Sequence, residues 1–96
     1  MRSARVAPSP VVELNRAVAV AMADGPSAGL AIVDAIAGAP AMRHYHLLPS
    51  VRGDLLEKLG RRDEARSEFE RAAGMTRNAR EQALLRRRAQ ACAGVG

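Results

Sequence analysis

HLLPSVRGDLLEKLGRRDEARSEFERAA, residues His46 to Ala73, decides the fold. Within it Leu48, Val51, Leu55, Leu56 and Leu59 recur at steps of three and four, the spacing of one face of an α-helix, and Gly60 stops the run. A second series follows from Asp63 through Ala65, Phe69, Ala72 and Ala73, and Gly74 to Arg77 closes it. Two helices joined by a short turn are expected, and Pro49 fits only in the first turn of the earlier one, where its missing N–H removes no hydrogen bond.

The same reading extends to both sides. Ser9 as N-cap and Pro10 in the first helical position open a helix carrying Leu14, Ala17, Val18, Ala21 and Met22, which Asp24-Gly25-Pro26 ends. A second begins near Ser27, carries Leu30, Val33, Ile36 and Ala37, and ends near Gly38-Ala39-Pro40. Asn78, with Glu81 three residues on, resembles a capping box for a fifth helix through Leu84, Leu85 and Cys92. Residues 1–8 are expected to be a disordered lead-in, and the chain should fray from Ala93 to Gly96.

Composition agrees with an all-α fold. Of 96 residues 48% are hydrophobic, yet much of that share is alanine, with one Phe, one Tyr and no Trp. An interior so poor in large side chains has to come from helices that approach closely. The length allows one domain, residues 9–93. A single cysteine, Cys92, rules out an internal disulfide framework and CxxC metal or redox motifs, and a reducing cytoplasm is the expected compartment. No apolar run reaches membrane-spanning length, so no membrane association is expected.

The net charge of +5 and a pI near 11.0 point towards nucleic acid, but Lys58 is the single lysine beside many arginines. Arginine with heavy alanine and glycine use is what a GC-rich genome produces through its codons. The charge therefore carries little functional weight.

A period of 36 residues relates the two helix pairs. It sets Ala17 on Gly53, Val20 on Leu56, Gly29 on Ala65, Val33 on Phe69, Ile36 on Ala72 and Arg16 on Arg52. Small residues recur where helices cross, larger ones where they fill the space between crossings. The second unit, 46–78, resembles a tetratricopeptide repeat in Gly53, Leu56, Gly60, Ala65, Phe69 and Ala72. It departs from that pattern at Pro49, at Arg52 and in lacking a proline after its second helix. The first unit, 10–42, is more degenerate, and a capping helix over 78–93 completes about five helices. The resemblance implies antiparallel helix hairpins stacked as a short tetratricopeptide-like right-handed solenoid.

Leu14-Asn15-Arg16-Ala17, Asp24-Gly25-Pro26, Tyr45-His46 with Leu48-Pro49, and Leu59-Gly60-Arg61 together resemble the carboxy-terminal extension of bacterial extracytoplasmic-function RNA polymerase sigma factors. The resemblance spans about residues 8 to 90. It implies a non-catalytic interaction and regulatory module in transcription initiation. Its partner would be the sigma domains of the same or another chain, or RNA polymerase. The promoter-binding regions of that family lie upstream of the extension, and none of their helices fits in these residues. A fragment of a longer sigma factor, a stand-alone protein and a truncated reading frame all stay open.

Candidate binding residues follow from that architecture. A groove lined by the first helix of each pair would use Asn15, Arg16, Arg52 and Leu56, with Glu13 and His46 at its rim. Asn15 and Arg16 interrupt the apolar side of their helix and need partners. Arg77, Arg80, Arg86, Arg87 and Arg88 form a candidate basic patch, whose alternative use is weak, non-specific nucleic-acid binding. The near-absence of aromatics argues against base stacking, and direct DNA contact is not expected without upstream domains. His44 and His46, two apart, point to different faces, so no metal is expected. No nucleophile, base and orienting acid can be assigned by spacing, so neither an enzyme nor a cofactor site is expected. The charged string from Arg61 to Ala73 reads as a solvated face, with Asp63–Arg66 and Glu68–Arg71 spaced to pair.

Overall fold

The computed structural model describes residues 9–93. Five helices make up the described residues: α1 (Pro10–Asp24), α2 (Pro26–Ile36), α3 (Leu47–Lys58), α4 (Arg62–Met75) and α5 (Ala79–Ala93), with a 3₁₀ turn at Pro40–Met42. No strand occurs among the described residues, and no described helix is long and apolar enough to cross a membrane. The lead-in at residues 1–8 and the last three residues lie outside the described part.

Local chemistry sets the helix ends. Ser9 caps α1, its hydroxyl accepting the Val12 N–H at 3.2 Å. Gly25 alone links α1 to α2. It adopts φ +102°, a conformation open to glycine, and donates its N–H to the Ala21 carbonyl at 2.9 Å. Gly60, at φ +80°, closes α3 by the paired bonds of a Schellman motif, Gly60 N–H to Glu57 O at 3.0 Å and Arg61 N–H to Leu56 O at 2.9 Å.

The start of α3 agrees with expectation, while the start of α4 and the cap of α5 differ from it. α3 begins at Leu47, which puts Pro49 third in the helix and inside its first turn. α4 begins at Arg62 rather than Asp63, whose carboxylate lies in the first turn, where the helix dipole favours it. At α5, Asn78 Oδ1 accepts the N–H groups of Arg80 and Glu81 at 2.9 and 3.0 Å, yet Glu81 does not close the box on Asn78. The Thr76 hydroxyl stands between them, accepting the Asn78 N–H at 3.2 Å and donating to Glu81 Oε1 at 2.7 Å. Met42, in the 3₁₀ turn, is buried in the core, a position that helical periodicity could not have marked.

Each helix packs chiefly on its neighbour in sequence, and α1 also touches α3. Leu14 and Ala17 of α1, Leu30 and Val33 of α2, Leu48, Leu55 and Leu56 of α3, Ala65, Phe69 and Ala72 of α4, and Leu85, Ala89 and Cys92 of α5 belong to one core. Of the six pairs 36 apart, three share their burial, Ala17 with Gly53, Gly29 with Ala65 and Val33 with Phe69, whereas Val20 and Ile36 are half-buried where Leu56 and Ala72 are buried, and Arg16 is exposed where Arg52 is half-buried. The charged face of α4 is only partly solvated. Arg61 and Arg66 pair with Glu64 and Glu70, Glu68 lies 3.8 Å from Arg71, and Glu68 itself is buried.

Two glycines let helices cross closely. A Cβ on Gly29 would sit 2.6 Å from the Ala21 Cβ and 2.7 Å from the Ala17 carbonyl oxygen; one on Gly53 would sit 2.9 to 3.1 Å from Phe69 ring atoms. Backbone cannot retreat as a ring can. Gly29→Ala is therefore expected to cost more than Gly53→Ala, each on the order of 1–3 kcal/mol by overpacking. Gly74, in α4 with nothing near its missing Cβ, should gain about 0.5 kcal/mol on Gly74→Ala. Urea midpoints of the three variants check that ranking.

Candidate interaction surface

The six expected groove residues do not converge. Leu56 is 0% exposed and fills the core, so no partner can reach it. Arg52 is occupied: Nε donates to Asp34 Oδ1 at 2.7 Å and Nη1 lies 3.2 Å from Glu68 Oε2, which ties α2 and α4 to α3. The hydrogen bond to Asp34, opposed by burial and aided by both carboxylate charges, raises the Arg52 pKa further. Arg16 faces solvent and among the described residues pairs only with Glu13, one turn away at 3.4 Å. Asn15 is exposed and Glu13 half-buried. His46 is half-buried, its Nε2 3.2 Å from Glu81 Oε1, close enough for an ion pair but not aligned as a hydrogen bond. Of the six, His46 alone borders a hollow.

The basic patch divides as well. Arg77, Arg80, Arg86 and Arg87 are exposed. Arg88 turns inward: Nη2 donates to Asp54 Oδ1 at 2.9 Å and to Glu57 Oε1 at 2.6 Å, and the guanidinium lies 4.4 Å from the centroid of the Phe69 ring. Arg88 is therefore part of the helix packing and leaves the patch. The signal was present in the spacing, because position 88 falls on the face of α5 that carries Leu85, Ala89 and Cys92.

The surface hollow runs elsewhere on the same helices. A groove of about 370 Å³ lies between α1 and α3, walled by Val18, Ala21 and Met22 on one side and by Val51, Asp54 and Lys58 on the other. A smaller hollow of about 190 Å³ lies between α3 and α5, bordered by His46, Leu47, Glu81 and Leu84. Ser50 and Arg88 line both, so the two adjoin. Of the seven exposed large hydrophobic side chains among the described residues, Val18, Met22, Leu47 and Leu84 border this surface, and Met22 is 83% exposed. Exposed apolar side chains gathered in this way are a kind of surface that a partner can cover. Sequence reading put Val18, Met22 and Leu84 in core-facing series. The apolar positions of α1 in fact cover more than one face, which a single-stripe reading cannot separate.

Charges at the centre of the groove are arranged to hold one another. Burial pushes the Asp54 carboxyl up, but hydrogen bonds from Lys58, at 2.6 Å, and from Arg88 outweigh it and hold it below the ordinary value of 3.8. Burial likewise pulls the Arg88 guanidinium down, and its bonds to Asp54 and Glu57 more than reverse this. Burial, with Glu57 nearby, pushes the Cys92 thiol up, away from the reactive thiolate. Among the described residues no group of three or more His, Cys, Asp or Glu side chains converges as a metal site would require.

Comparison with known proteins finds an uncharacterized protein of Rhizobium meliloti (strain 1021), 46% identical over 82 residues. The match takes in 85% of this chain and 19% of that protein, so the chain spans about a fifth of its relative's length. No protein-family profile matches the chain, and no solved structure matches it.

The Asp54 geometry has a consequence in acid. Its folded pKa lies below the unfolded value, so the carboxylate stabilises the fold fully above 3.8 and loses that contribution as pH falls through the lowered folded value. Asp54→Asn should give a flatter stability curve than the parent between neutrality and about pH 3. Arg88→Ala should cost about 1–2 kcal/mol, since the pair is part-exposed and screened while the contact with Phe69 is lost outright. Arg88→Lys should recover less than half of that, a lysine having no planar fork for two carboxylates. Urea titrations across that pH range test all three.

Proposed function

We propose that the chain is a non-catalytic interaction module which docks a segment of protein along the adjoining hollows over α1, α3 and α5. The observation that carries this reading is the apolar rim of Val18, Met22, Leu47 and Leu84 around charges that pair with one another, Lys58 and Arg88 with Asp54 and Glu57. Charges already paired within the chain cost little more to cover, while the exposed apolar rim gains by it. The partner is expected to be protein with apolar side chains at helical or extended spacing.

In this reading the helices form a short, tetratricopeptide-like right-handed solenoid, for which two observations speak. Packing is chiefly between sequence neighbours, and three of the six pairs 36 apart are buried in both units. The resemblance to the carboxy-terminal extension of extracytoplasmic-function sigma factors supplies the cellular setting: regulation of transcription initiation in the cytoplasm, through the sigma domains or RNA polymerase. The Rhizobium relative, of which this region is 19%, supports a module embedded in a longer chain.

The test is to express the remainder of the Rhizobium relative without its matching segment and titrate it calorimetrically with this chain. Saturable binding in about the micromolar range is expected, weakened at least tenfold by Leu84→Glu on the rim. Absence of heat at about 100 µM of both components would reject the reading. Arg16→Ala should leave binding unchanged, its side chain facing away from the hollow.

A second reading rests on Arg77, Arg80, Arg86 and Arg87, all exposed and in no ion pair among the described residues. It is electrostatic association with nucleic acid. Four phosphate contacts predict a slope of about −3.6 in log affinity against log salt, a loss of about 150-fold between 50 and 200 mM, with no preference of sequence. A filter-binding series on two unrelated duplexes measures both.

A further inference from the structure

We propose that Met22 is a reversible oxidation site: a hydroperoxide that adds one oxygen to its thioether closes the hollow between α1 and α3 to apolar occupants. Burial sorts the sulfur atoms of the described residues. Met42 is 5% exposed in the 3₁₀ turn, Cys92 is buried on α5, and Met75 is half-buried at the end of α4. Burial also pushes the Cys92 thiol up, which leaves it little of the thiolate that reacts with a peroxide. Met22, in the last turn of α1, is 83% exposed, the barest large apolar side chain among the described residues. An oxidant in solution therefore meets that sulfur first.

The step balances with the peroxide alone. A lone pair of the thioether attacks one peroxide oxygen, and the S–O bond forms as the O–O bond breaks. Sulfur gives up two electrons, the proton on the transferred oxygen passes to the departing hydroxide, and water leaves. Reduction by a dithiol reverses it: two thiols become a disulfide and the oxygen departs as water, the reaction of the methionine sulfoxide reductases.

Position gives the oxidation a consequence. Met22 walls the hollow beside Val18 and Ala21 and faces Val51 and Leu55 across it. A flexible thioether suits an apolar occupant, whereas a sulfoxide is polar and carries a strong acceptor. The cations of the hollow, Lys58 and Arg88, are held on Asp54 and Glu57, so the new oxygen is hydrated by water. An apolar segment laid over it strips that water and leaves the acceptor unpaired, a loss of at least about fivefold in affinity. The fold itself is spared, because Met22 takes no place in the core. The effect on partner docking rests on the reading of this hollow as a docking surface; the oxidation does not.

Peptide mapping of the full chain during exposure to hydrogen peroxide should find Met22 oxidised on the order of tenfold faster than Met42, with the urea midpoint unchanged while Met22 alone is oxidised. Binding of Nile red, an uncharged apolar dye, should fall at least about fivefold on oxidation and return after treatment with sulfoxide reductases of both epimer classes and dithiothreitol. Met22→Leu, as good a helix former, should bind the dye as the parent does and lose nothing to peroxide, which separates position 22 from the other methionines. Met22→Gln should bind as weakly as the oxidised chain with no peroxide added. Loss of dye binding while the Rhizobium remainder still binds would reject the docking surface and uphold the oxidation site. Equal oxidation of Met22 and Met42 in the folded chain, dye binding unchanged by peroxide, or the same loss in Met22→Leu would each overturn the proposal.

Discussion

The Phe69 ring lies against the backbone of Gly53 and under the guanidinium of Arg88, and the rest of the molecule is arranged around that stack. It is the single phenylalanine of the chain and is fully buried. Glycine lets α3 and α4 approach until the ring fills the space between them, and α5 contributes the cation that covers the ring. The same cation reaches back to Asp54 and Glu57, so one aromatic side chain sets the mutual position of three helices. With so few large residues available, the remaining core is made of alanines and leucines that follow that spacing.

Fold class was legible because its signals are local. Ser9, Gly25 with Pro26, Gly60 and Asn78 each act within one turn of chain, and their chemistry acts here as it would in a peptide. The burial of Met42 was not legible, since a short 3₁₀ turn has no apolar period to detect. The Thr76 hydroxyl inside the α5 cap escaped notice for a related reason: a capping-box pattern specifies residue types, and a neighbouring side chain rerouted one of its bonds.

The interaction surface was legible only in outline. Expecting the first helix of each pair to line a groove pointed to α1 and α3, but polar residues were chosen as its lining because polar residues stand out in a sequence. Arg52 and Arg88 stand out equally, and both are committed inside the fold to carboxylates 16 or more residues away along the chain. Long basic side chains lay their stems along apolar surface and find distant acids, and no one-dimensional pattern records that. The residues that do border the hollow, Val18, Met22 and Leu84, look in sequence like any other core leucine or valine. Only the packing of three helices separates the apolar positions that are covered from those left bare.

Because each helix leans chiefly on the one before it, few contacts join distant parts of the chain. Bringing such contacts together costs little loop-closure entropy, which is the condition for rapid folding. A hairpin can form as soon as its second helix has left the ribosome, with no need to wait for a far-off strand. The stack then grows by accretion, each new helix finding its site already laid, and under strain it should peel from an end while the centre around the aromatic ring holds.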